Sequence, residues 1–509
     1  MKKISPGVVV FIWFFLSLMI FYSGHLYSDD TLAKVESARS LIRKGTFAID
    51  KESGAWGLPG RGGKIYPQYS LGAVLNCLVP AATYEIFNLL SGGRLPRFVL
   101  SALITLQNVF FTAGIGVIVF MILVRFGTEI RQAFLYANIM VFCTQILPYS
   151  STGWSEPAAL FWSMAGFYAL VYKNGIKQKI VPSARWSIWA LCAGMASLIR
   201  IEYILFFAIF LIVDLLKNRT GWKAHLQAFF ILGGIFCFHF AFNYIRFESA
   251  FNFGYLAPSA AKAAESSIIS KGVSTGNEIT SLFINSRRLN DYYHFFISFG
   301  KNHWFWVAPL LALSPLVFFF RKEVPERILG AFYAAFLYLP FIKLNTWCWG
   351  HRYFYVIFPF LLLPLFFIVG SRTKVFRFSF YILALCGGII AFFASAVNYH
   401  VVLEILVEKY GVTPALWHKT ATFTGAPFWY HVKIFFVQAP NTISLLLDPP
   451  SHISWGYCRQ HCLDIWPVGL MAVGIPPLLS FSLYLSMMGS AAFAGIKLCR
   501  DKPFKTKRE

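Results

Sequence analysis

The sequence predicts an all-α integral membrane protein with about twelve transmembrane helices, and three observations carry that prediction. Of its 509 residues 57% are apolar and only 13% are charged, with a mean hydropathy of +0.60. A soluble protein of this size carries about twice that share of charge. Apolar runs of about 15–25 residues, long enough to cross hydrocarbon, recur along the chain. The lysines and arginines behind the net charge of +23 fall in short clusters between those runs. That is the pattern of membrane topology and not of a nucleic-acid groove.

The runs lie at about 6–24, 71–90, 98–123, 132–149, 157–172, 186–199, 203–216, 226–245, 303–320, 328–342, 353–370, 378–398 and 466–496. The first follows Lys2 and Lys3, but no small-residue cleavage site comes after it, so Pro6–Tyr22 is expected to stay as a helix. The 71–90 run contains Asn76, Pro80, Glu85 and Asn88, which suit a juxtamembrane or re-entrant element better than a span. With 71–90 left out, one side collects Lys2/Lys3, Arg125/Arg131, Lys173–Arg185, Lys217–Lys223, Arg321–Arg327, Arg372–Arg377 and the basic C-terminus. The short opposite turns hold only Arg200, Lys343 and Arg352. The positive-inside rule then places both termini in the cytoplasm.

The expected organisation is a transmembrane module over 1–398, with external loops at 25–97 and 246–302. An external region at 399–465 follows, then a last helix and basic tail at 466–509. The first loop carries juxtamembrane helices split by the glycine-rich stretch Gly54–Gly63, and the polar run Ser259–Asn290 reads as a mobile loop. The 55 phenylalanines fill lipid-facing and inter-helix surface, and most of the nine cysteines sit in apolar runs as small hydrophobes. Cys458 and Cys462 are the exception, with a disulfide and two free thiols both open.

On this topology one external face gathers carboxylates and cations from separate loops. They are Asp29 and Asp30 at the exit of the first run, Lys64-Ile65-Tyr66-Pro67-Gln68, Glu156 before Pro157, Arg200 with Glu202, Arg246, and Lys343 through His351-Arg352. Chemistry on a lipid-linked phosphate needs that mixture: a carboxylate as base, and cations where negative charge develops. Each residue also has a bland role. Asp29/Asp30 suit a helix cap, Glu156-Pro157 a helix start, Arg200/Glu202 a local ion pair, and His351/Arg352 snorkelling at the interface. Asp214 and His239 read as satisfied structural groups.

The order Asp30, Glu36, Arg39, Gly45, then Gly63-Lys64-Ile65-Tyr66-Pro67 resembles the first external loop of GT-C-fold glycosyltransferases, such as aminoarabinose transferases and protein O-mannosyltransferases. Ser155-Glu156-Pro157 is similar to that group's second acidic loop motif, with Glu in place of Asp. Phe247-Glu248 to Gly254-Tyr255, Phe299-Gly300 to Pro309, and Trp349 to Tyr353 resemble a bacterial branch of it, so that the likeness spans roughly 1–375.

The resemblance implies a polyprenyl-phosphate sugar donor, transfer to an external acceptor hydroxyl of a glycan, lipid or protein, and inversion at the anomeric carbon. It places the catalytic aspartate at Asp30, with Asp29 in support. Glu156 would orient the acceptor or, with Asp30, help hold a divalent metal such as magnesium or manganese if one is used. No nucleotide cofactor is expected, and no Gly-rich phosphate loop is present. Lys64, Tyr66, Gln68, Arg200, Lys343, His351 and Arg352 would contact the donor. Gln68 stands near where the aminoarabinose-type loop has a phosphate-contacting lysine, which leaves that task to Lys64 or another cation. A multispan transporter or lipid flippase is the alternative, and a non-catalytic binder of the same fold a third. A transporter calls for midplane charges and two similar halves, and the sequence shows neither.

Overall fold

The computed structural model describes residues 5–26, 29–172, 182–217, 221–252, 308–342, 354–410, 427–447, 455–472 and 475–500. Among the described residues the apolar runs fall on helical segments. Inside hydrocarbon a backbone must satisfy its own hydrogen bonds, and a helix does so locally. They are α1 (Pro6–Met19), α3 (Leu71–Leu75), α4 (Leu78–Leu90), α5 (Arg97–Arg125), α6 (Ile130–Phe142), α7 (Ile146–Ser150), α8 (Glu156–Val171), α9 (Pro182–Ile199), α10 (Tyr203–Lys217) and α11 (Trp222–Phe247). Helices Glu326–Tyr338, Phe358–Ile368, Lys374–Ala396 and Pro477–Arg500 follow, with a 3-10 segment at Pro309–Phe318 where Pro315 interrupts the α pattern. The chain is an all-α integral membrane protein. Among the described residues five segments are long and apolar enough to cross a membrane: Leu71–Leu90, Arg97–Arg125, Trp222–Phe247, Lys374–Ala396 and Pro477–Ile496.

One apolar core joins α1, α5, α6, α8, α9 and α10 to the helices after residue 308. Close approach is bought with glycine: a Cβ on Gly116 would sit 2.6 Å from the Phe14 ring. The two ends of the bundle differ in charge. At one end Arg125 lies over the Tyr172 ring, Lys217 over the Tyr333 ring, and Arg327 donates to the Leu170 carbonyl. These are turns that the charge count assigned to a single side. Nearby, Asp214 pairs with His225 at 3.0 Å, which satisfies it as a structural group. The candidate carboxylates gather at the other end.

Between α1 and α5 the chain builds a polar cap. Helix α2 (Asp29–Lys44) ends at Gly45, whose left-handed backbone (φ 65°) only glycine adopts cheaply. Glu85 of α4 binds Arg39 and Arg43 of α2, each at 2.7 Å. Burial alone would pull the Arg39 guanidinium down, but Glu85 and Glu36 outweigh it and hold it above its ordinary value. The opposite face of α4 exposes Val79, Ile86, Leu89 and Leu90. Length and composition alone would let 71–90 cross. Its ion pairs tie it to the polar α2.

A short hairpin of β1 (Leu58–Pro59) and β2 (Ile65–Tyr66) follows α2 and rests on the end of α11. Arg246, fully buried, donates to the carbonyls of Pro67 and Tyr69, the latter at 2.8 Å. Gly60 lies against the same junction, where an added Cβ would sit 2.3 Å from the Arg246 carbonyl oxygen. Gly60→Ala should therefore push the hairpin off α11 and cost about 1–3 kcal/mol by overpacking. Thermal unfolding of the purified protein checks this. Gly330→Ala, with open space around it, should leave the midpoint unchanged.

The region expected as a mixed external segment is more regular than its composition indicates. It holds helices Tyr399–Tyr410, Pro427–Leu447 and Trp455–His461, and Trp466–Ala472 follows it. Phe428 and Phe435 pack on Phe393 of Lys374–Ala396. Cys458 and Cys462 are free thiols, buried and hydrogen-bonded to each other; that hydrogen bond raises the pKa of Cys458 and lowers that of Cys462. This region also closes back on the N-terminus. The Trp466 amide donates to Tyr22 O at 2.7 Å, and His25 Nε2 lies 3.1 Å from Asp464 Oδ1. The run Ser259–Asn290 lies outside the described residues.

Candidate active site

Helix α1 runs out at Met19, and the chain turns through Gly24 (φ 82°) into α2. Asp29 and Asp30 open α2, where the unsatisfied amides of a helix N-terminus favour acids. Asp30 is half-buried, and for Asp29 the backbone position at the start of α2 is defined. The next residue anchors the turn. Thr31 Oγ1 donates to the Gly153 carbonyl at 2.9 Å, and the Gly153 amide donates back to Leu26 O at 3.3 Å. Asn108 of α5 then grips the same turn, donating to the Thr152 and Trp154 carbonyls at 2.6 Å each. The loop carrying Asp30 and the turn carrying Glu156 are thus stitched together.

Glu156 begins α8 after Ser155, with Pro157 suiting the first turn. It is fully buried, and Arg200 from the end of α9 binds it at 2.6 Å. Arg200 also lies 3.2 Å from Glu202, and Tyr338 donates its hydroxyl to the Glu202 carbonyl at 2.8 Å. The helix-start and ion-pair roles are both realised in this one cluster. Only 3% of the Arg200 side chain is exposed. The structure therefore places Arg200 on two carboxylates inside the bundle.

The hairpin presents the remaining described candidates. Lys64 is exposed at the end of the turn, while Tyr66 is buried with its ring 6.2 Å from Phe247. Gln68 is half-buried and donates to the Tyr69 hydroxyl at 2.7 Å. Arg246 serves the hairpin backbone from within. Lys343, His351 and Arg352 lie outside the described residues.

Sequence reasoning missed three residues here. Lys34 follows Asp30 by one turn of α2, is 1% exposed, and lies over the Tyr69 ring at 5.5 Å. Its four-residue spacing from Asp30 was the available signal. Tyr203 and Tyr355 flank Glu156, and an isolated tyrosine in an apolar run gives no such signal. A metal fits poorly at Glu156, because Arg200 already compensates its charge. Among the described residues no three His, Cys, Asp or Glu side chains converge as a metal site.

No protein-family model matches the sequence, and no curated protein does. Solved structures do match. ArnT from Cupriavidus metallidurans bound to undecaprenyl phosphate superposes over 94% of this chain and 87% of its own, with a TM-score of 0.50 and 13% identity. The chain has the GT-C fold. The Archaeoglobus fulgidus oligosaccharyltransferase in its apo form matches over 81% of this chain, with a TM-score of 0.46 and 13% identity, and the chain spans 59% of that protein's length. The GT-C likeness reaches beyond residue 375, where the sequence motifs stop, into the C-terminal helices.

Proposed function

We propose that the chain is a membrane glycosyltransferase that moves a sugar from a polyprenyl-phosphate donor to an acceptor hydroxyl on the external face of a bacterial inner membrane. Both termini are then cytoplasmic, and the acceptor is a glycolipid, a cell-envelope polysaccharide or a protein. The observation that carries this reading is the stitching of α2's first turn to the Glu156 turn, at the end of the bundle away from the basic turns. The structural neighbour bound to undecaprenyl phosphate supports a lipid-phosphate donor.

In this mechanism Asp30 takes the proton of the acceptor hydroxyl, whose oxygen attacks the anomeric carbon as the bond to the phosphate oxygen breaks. One inversion follows. The departing phosphate gains charge, and Lys64, Lys343, His351 and Arg352 are the cations proposed to neutralise it, with Tyr66 and Gln68 shaping the loop beside it. Arg200 acts through Glu156, keeping that carboxylate ionised and fixed. No step is routed through a metal ion. The test is incubation of purified, lipid-reconstituted protein with a panel of polyprenyl-phosphate sugars and a hydroxyl acceptor. Release of free polyprenyl phosphate from at least one of them is expected; release from none sinks the reading.

A further inference from the structure

Two tyrosines that this mechanism does not use sit beside Glu156. Tyr203 opens α10, and its amide donates to the Arg200 carbonyl at 3.1 Å. Tyr355 precedes the helix Phe358–Ile368, and its ring centre lies 4.8 Å from that of Tyr149, on the turn that leads to Glu156. Both side chains are 0% exposed. Both lie within electrostatic reach of the Glu156 carboxylate and of each other. Among the described residues the Tyr355 hydroxyl has no hydrogen-bond partner, and the Tyr203 hydroxyl meets only the Arg200 guanidinium. Arg200 faces Tyr203 but can only donate, so the phenolic proton still has no acceptor.

A buried hydroxyl without a partner loses its bond to water and gains nothing, and folded proteins hold few such groups. Phenylalanine would fill position 355 at less cost. Two such phenols around one buried carboxylate therefore mark a place where a polar ligand completes the set. They also offer complementary chemistry: phenols that donate and accept, and a carboxylate that accepts. A sugar ring presents the matching array of hydroxyls. Asp30 is half-buried, whereas this cluster is fully buried between α8, α10 and the turn before Phe358.

We propose that Tyr203, Tyr355 and Glu156 form the subsite that grips the sugar hydroxyls of the lipid-linked donor, with Glu156 accepting from one hydroxyl and the phenols bonding its neighbours. This rests on the glycosyltransferase reading and names the part of the site that tells a charged lipid from a bare one.

The test uses full-length protein in nanodiscs. Affinities are measured for undecaprenyl phosphate alone and for a panel of undecaprenyl-phosphate hexoses, aminopentoses and N-acetylhexosamines. At least one charged lipid should bind about tenfold tighter than the bare one. Tyr203→Phe and Tyr355→Phe should each remove most of that advantage and leave the bare lipid's affinity unchanged. The ligand-free unfolding midpoint of Tyr355→Phe should stay level or rise. Equal binding of charged and bare lipids by the native protein overturns the inference, as does an advantage that survives in the Phe variants. A lowered ligand-free midpoint in Tyr355→Phe overturns it too, since that hydroxyl would then be satisfied without a sugar. If bare undecaprenyl phosphate itself fails to bind, the donor assignment and the glycosyltransferase reading fall first.

Discussion

Asp30→Asn should abolish sugar transfer in protein that folds normally. The substitution keeps the shape of the side chain and removes only its basicity. A positioned general base supplies about 10²–10⁴-fold in rate, and a loss in that range is expected in turnover with little change in donor binding. The fold should tolerate it. The Thr31 hydroxyl on Gly153 anchors α2's first turn and is untouched, and an acid at a helix N-terminus contributes only about 0.3–1 kcal/mol. Asp29→Asn is the control, with a loss below about tenfold, short of the roughly 10²–10⁴-fold that a positioned general base supplies. A variant pair in which Asp29→Asn is dead and Asp30→Asn active would reverse the two roles.

Arg200→Met should be among the most destabilising single changes in the chain. It leaves the Glu156 carboxylate, 0% exposed, without the guanidinium 2.6 Å away. Breaking a buried pair on one side costs about 3–5 kcal/mol, because an uncompensated charge stays behind. Thermal inactivation in detergent should shift down accordingly. The double variant Glu156→Gln with Arg200→Met should recover much of that loss, since no charge is then left buried, and should remain inactive. The coupling between the two changes measures the pair itself. Simple additivity of the single effects would mean that Arg200 stabilises the bundle through something other than Glu156.

Much of this arrangement was legible in the sequence because two physical constraints write themselves into it directly. Membrane crossings demand uninterrupted apolar runs, and among the described residues those runs became helix. Charge asymmetry told the two ends apart, and the contacts of Arg125, Lys217 and Arg327 gather at one of them. Side chains whose partners are distant in sequence were illegible for the converse reason. Arg246 looked like a site cation, yet its bonds go to carbonyls 179 and 177 residues away. Arg200 and Glu156 were placed on one face but not in contact. Helix Pro427–Leu447 was hidden because Gln438 and Thr442 are polar, and their polarity is spent on Gln460 and Leu463, which only the folded chain brings near.

The clasp between the two ends of the chain has a consequence for how the protein is made. Ile20, Tyr22 and His25 are made long before Asp464, Trp466 and Tyr484, which bind them. Until then the turn leading to Asp30 lacks these supports, although α5 and α8 are already in place. A nascent chain would thus hold an assembled bundle with an unfinished mouth until Tyr484 has been made. An arrest between Ala396 and Asp464 should leave a stably inserted but inactive protein.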